Sequence, residues 1–109
     1  MPHLNRTGLW NYNLLRQPDA MHKAEIGWVR RTAEGTKLDV FARRVGRRWL
    51  FFARARRYEQ WQPVPEPPLE DWLELLDAVQ RRVARRLFPP DEVDRIKQAI
   101  LQRYPDTQF

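Results

Sequence analysis

The chain has 109 residues, a formal charge of +6 and no cysteine, with 42 % hydrophobic and 31 % charged residues. This is the composition of a soluble globular domain, and it excludes disulfides, thiolate nucleophiles and Cys-ligated zinc. No apolar run reaches the roughly 18 residues of a membrane span, and MPHLNRTGLW lacks the pattern of a signal peptide, so no membrane role is expected and the cytoplasm is the default compartment.

Residues 1–23 form an N-terminal segment whose apolar positions (Leu4, Leu9, Trp10, Tyr12, Leu14, Leu15) show no clean period. Within it, Leu9–Leu15 reads as a short strand and Gln17-Pro18-Asp19 as a turn. Residues 24–60 read as an antiparallel β-meander. Gly46-Arg47 fits a two-residue type II′ hairpin turn, with glycine at the first central position. Val45 is then opposite Arg48, Ala42 opposite Phe51, Phe41 opposite Phe52, Val40 opposite Ala53 and Asp39 opposite Arg54. Alternation divides these residues between two faces. Leu38, Val40, Ala42, Trp49, Phe51, Ala53 and Ala55 make an apolar core face. Asp39, Phe41, Arg43, Arg48, Leu50, Phe52 and Arg54 make a face of mixed arginine and aromatic character.

The strand before them runs from Glu25 to Thr32, and its register has two solutions. If Thr32 pairs with Lys37, Ile26, Trp28 and Arg30 join the mixed face. An Arg30–Asp39–Arg54 charge ladder and a Trp28–Phe41–Phe52 aromatic row then form, and such cross-strand pairs favour this register. A three-residue loop shifts the pairing by one and moves the same residues to the core face.

Residues 61–68 hold four prolines and read as a rigid connector, excluded from helix and central strand, with Trp61 packing beside it. Residues 69–104 read as two helices. In the first, Leu69, Trp72, Leu73, Leu76, Val79, Val83 and Leu87 recur at spacings of three and four, starting at Pro68 and stopping at Phe88-Pro89-Pro90. Arg81, Arg82, Arg85 and Arg86 in its second half read as a solvated face that complements the helix dipole, Arg81 pairing with Asp77. In the second, Val93, Ile96, Ile100, Leu101 and Tyr104 form the stripe, Pro105 ends it, and residues 105–109 are a tail. The expected fold is therefore α+β in one domain: an antiparallel three-stranded meander, with room for an extra N-terminal strand, packed against two C-terminal helices. Its expected core is Leu38, Val40, Trp49, Phe51, Leu69, Leu73, Leu76, Val83, Ile96 and Ile100.

Charge distribution carries the functional reading. Of the 20 basic residues 17 are arginine, and Lys37–Arg57 alone holds a net +7 with Asp39 its one acid. Interleaved arginine and aromatic residues on a twisted sheet suit phosphate contact and base stacking. The expected contacts are Arg30, Arg43, Arg44, Arg47, Arg48, Arg54 and Arg56, with Trp28, Phe41 and Phe52 as stacking or packing partners. The expected function is a small basic nucleic-acid-binding module. The rival is a protein-interaction module that uses the same Trp/Phe/Arg face for an acidic protein partner or a homodimer. Enzymatic chemistry finds no foothold. His3 and His22 lack metal-ligand spacing, the acid pairs Glu70/Asp71 and Asp91/Glu92 mark helix starts, and four glycines form no phosphate loop. No metal and no cofactor are expected.

Overall fold

In the computed structural model, the described residues are 3–4, 10–11 and 25–109. The chain divides into two compact units, Met1–Pro65 and Glu66–Phe109, with the boundary inside the proline-rich segment. The architecture is α+β: a four-stranded antiparallel sheet belongs to the first unit and two helices to the second. No helix among the described residues is long and apolar enough to cross a membrane.

Two short strands, β1 (His3–Leu4) and β2 (Trp10–Asn11), pair with each other in a sheet of their own. The main sheet contains β3 (Glu25–Arg31), β4 (Lys37–Val45), β5 (Arg48–Arg54) and β6 (Gln62–Val64), in chain order. The expected turn at Gln17–Asp19, Leu9 and Tyr12–Leu15 of the expected Leu9–Leu15 strand, and His22 lie outside the described residues.

The β4–β5 hairpin has the expected register, from Val45 opposite Arg48 to Asp39 opposite Arg54. Gly46 supplies the positive φ of 62° that the first position of a type II′ turn demands, where an L side chain would clash. The β3–β4 hairpin takes the other of its two registers. Arg31 pairs with Lys37, Trp28 with Val40 and Gly27 with Phe41, one residue away from the favoured alignment. The connection is the cause. The Gly35 N–H donates to the Thr32 carbonyl and the Thr32 N–H to the Thr36 carbonyl, each at 2.9 Å, leaving Ala33, Glu34 and Gly35 as a three-residue loop. Gly35, at φ 85°, occupies the left-handed position that ends such loops. Ile26, Trp28 and Arg30 therefore share a face with Val40, Ala42 and Phe51 rather than with Phe41 and Phe52. The half-ladders Asp39–Arg54 and Phe41–Phe52 survive, but Arg30 lies opposite Leu38 and Trp28 opposite Val40.

The fourth strand of the sheet comes from the proline-rich segment rather than from the N-terminus. Val64, Pro63 and Gln62 pair with Phe51, Phe52 and Ala53. A proline is tolerated there because β6 is an edge strand, where a missing donor breaks no inner ladder.

In the second unit, α1 (Leu69–Ala84) and α2 (Asp91–Arg103) pack against each other. The buried face of α1 includes Trp72, Leu75, Leu76, Ala78 and Val79, whereas Leu73 is exposed and Leu69 and Val83 are half-buried. The apolar arc is rotated towards Leu75 from the expected stripe, and Leu87 falls outside the helix. On α2, Ile96 and Ile100 are buried as expected, with the carboxylate of Glu92 beside them in sequence wholly buried and bonded to Arg95 at 2.8 Å. The Tyr104 hydroxyl donates to the Pro67 carbonyl at 3.0 Å and ties the end of α2 to the start of α1.

Helix α1 ends before Phe88-Pro89-Pro90. The Arg86 N–H donates to the Val83 carbonyl and the Leu87 N–H to the Arg82 carbonyl, the paired bonds of a Schellman cap. Its left-handed position, usually glycine, is Arg86 at φ 62°. Arg85 and Arg86 are thus cap residues, outside the helix that carries Arg81 and Arg82. Replacing Arg86 with glycine should remove the left-handed strain and raise stability by about 1 kcal/mol, read from the urea midpoint.

Candidate functional site

The sheet places the expected site residues on two faces and at two ends. One face carries Phe41 and Phe52, stacked with centroids 4.9 Å apart. The loop leaving β5 returns Trp61 onto them, its ring edge-on to Phe41 at 4.7 Å. The three form a closed cluster with Leu50 against it, and Phe41 and Phe52 are no more than 1 % exposed. An aromatic ring stacks a base only through an open face, so Phe41 and Phe52 are packing residues. Trp28 stands on the opposite face, half-buried and edge-on to Phe51 at 6.1 Å. The expected aromatic row is therefore split between faces by the one-residue register shift.

The arginines divide in the same way. Arg43 and Arg54 both lie on the Phe41 face, but the Phe41–Phe52 pair separates them along the strands. Arg43 directs two donors to one oxygen of the wholly buried Glu25 carboxylate, its Nε at 2.6 Å. The cross-strand pairing of Glu25 with Arg43 makes this bond possible. Arg54 stands 3.8 Å from Asp39 and lies 4.2 Å over the Trp61 ring. Both guanidinium groups are engaged by the fold. Arg30 and Arg44 are half-buried on the other face, opposite Leu38 and Trp49.

Arg47 and Arg48 are exposed at the β4–β5 turn. Arg56 is exposed in the loop after β5 and donates to the Tyr58 hydroxyl at 2.6 Å. Two further exposed cations stand at that same end, Lys37 at the start of β4 and Arg57 beside Arg56. Both fall within the +7 run, which flagged their charge; their position at the end opposite the Gly46 turn follows only from the pairing. Lys37, Arg47, Arg48 and Arg57 meet no carboxylate among the described residues. The sheet thus presents exposed positive charge at both ends, with a closed aromatic cluster between them. Exposed positive charge of this kind favours anions.

Comparison with protein-family models, with curated proteins and with solved structures finds no match to this chain.

Proposed function

We propose that this protein is a small basic nucleic-acid-binding module that contacts phosphates through the ends of its sheet. The observation that carries the reading is the exposed set Arg47, Arg48, Lys37 and Arg57, to which no carboxylate of the described residues is paired. Arginine suits the role because its planar fork makes bidentate bonds to phosphate oxygens. Since Phe41 and Phe52 are closed, affinity rests on charge, and sequence preference should be weak. The cytoplasm remains the proposed compartment.

The test is the salt dependence of binding to a labelled mixed set of DNA and RNA. Each phosphate contact removed lowers the slope of log affinity against log salt by about 0.7–0.9. The triple change Arg47→Gln, Arg48→Gln and Arg57→Gln should flatten it by roughly two to three units. A wild-type protein that binds no nucleic acid at low salt would end this reading and favour an acidic protein partner or a homodimer instead.

A further inference from the structure

Beside the Phe41–Phe52–Trp61 cluster lies a groove of about 600 Å³. Its lining includes Gly27 and Val29 from β3, Lys37 from β4, Arg54 from the end of β5, and Arg57 and Trp61 from the loop that follows. Three cations thus converge from three stretches of chain. The carboxylate in the lining, Asp39, stands 3.8 Å from Arg54. Arg54 is held in place a second time by the Trp61 ring beneath it, at 4.2 Å. Lys37 and Arg57 meet no carboxylate among the described residues.

A concave wall with surplus positive charge concentrates field and favours an anion. The volume lies within the roughly 300–1,000 Å³ of small-molecule sites and exceeds what a bare phosphate needs. The remainder of the occupant meets an uncharged strip of β3: Gly27 has no side chain, and Val29 is 55 % exposed. The groove therefore combines cations from β4, β5 and the loop after β5 with an uncharged strip of β3.

We propose that this groove binds an organic phosphate of nucleoside monophosphate size. Lys37 and Arg57 hold the phosphate with Arg54 as the pre-positioned third donor, and the uncharged part lies along Gly27 and Val29. The choice of a nucleotide over other organic phosphates rests on the nucleic-acid reading above. The same chemistry has two sources, a free nucleotide or one unit of a strand.

The experiment is a ¹H–¹⁵N titration of the full chain with AMP, with adenosine and with a short single-stranded oligonucleotide. AMP should move the Gly27, Val29 and Ala55 amides and the Trp61 indole N–H, while adenosine, lacking the phosphate, should not. Lys37→Glu with Arg57→Glu should weaken AMP binding by about tenfold or more for each cation replaced. Both positions are exposed, and if the double variant fails to fold, Arg57→Gln alone carries the same test. Arg85→Glu, an exposed cation outside the sheet unit, should leave the AMP response unchanged. Equal shifts from AMP and adenosine, or shifts that persist in the Lys37/Arg57 variant, would overturn the proposal. AMP binding without oligonucleotide binding keeps the groove and removes the nucleic-acid reading. Oligonucleotide binding while AMP leaves these amides unmoved keeps that reading and removes the groove.

Discussion

Phe41→Ala is expected to destabilise the protein by ~3–5 kcal/mol, the range for emptying a buried phenylalanine site. Phe41 is fully buried, stacked on Phe52 and capped by Trp61, so its removal leaves a cavity beside both rings. Arg47→Ala, at the exposed tip of the β4–β5 turn, should stay within about 0.5 kcal/mol. Urea unfolding of the two variants reads the contrast directly. Similar losses from both would mean that the Phe41–Phe52–Trp61 cluster is not a core. Because Phe41 is closed to solvent, Phe41→Ala should also lower nucleic-acid affinity only through lost folding. A variant that stays folded and binds ten times more weakly would reopen the ring to a stacking role.

Arg43→Met is the second large effect, expected at about 3 kcal/mol. The Glu25 side chain is completely buried and that of Arg43 is 18 % exposed, so the pair sits at the margin of the interior. Methionine fills the same volume as the aliphatic stem but leaves a buried carboxylate without this cation. Desolvated charge is costly unless it is paired, which makes breaking the pair far worse than replacing it. The double variant Glu25→Gln, Arg43→Met should therefore be more stable than Arg43→Met alone, and thermal unfolding of both distinguishes them. A loss below about 1 kcal/mol for Arg43→Met would place the pair among weak surface bridges.

These two residues mark the limits of what the linear pattern discloses. The β4–β5 hairpin was legible because one dipeptide, Gly46-Arg47, sets the turn, and every pairing from Val45–Arg48 to Asp39–Arg54 follows from it. At the other hairpin, Ala33-Glu34-Gly35-Thr36 permits two loop lengths, and the cross-strand pairs that favoured one of them are worth only ~0.2–1 kcal/mol each. The left-handed Gly35 decides for the other, and a shift of one residue moved Trp28 and Arg30 to the opposite face. Covering of Phe41 was hidden for a different reason. Trp61 reaches it from beyond the end of β5, and periodicity within a strand says nothing of what folds back over it. The helices were legible as elements, yet the α1 stripe admits either Leu73 or Leu75 as its inner position, because the spacing of three and four is satisfied by both. The burial of Leu75 is a tertiary outcome. Among the site residues, the charge of Lys37–Arg57 was visible as composition. Which arginines the fold holds in place, Arg43 on Glu25 and Arg54 between Asp39 and Trp61, depended on register and on the returning loop.

Strand β6 spans three residues, and its middle one is Pro63. A sheet margin with a full row of free N–H and C=O groups is a template on which another chain can grow in cross-β fashion. Pro63 deletes a donor from that row, and β6 is too short to offer many more. Past β6, the outer margin of β5 continues at Arg48–Leu50, where the exposed Arg48 repels the like-charged margin of a second copy. A segment whose prolines look like a mere spacer thus also guards this side of the sheet against edge-to-edge aggregation. Pro63→Val would restore the donor and a β-branched side chain, and with them the conditions for fibril formation on prolonged incubation.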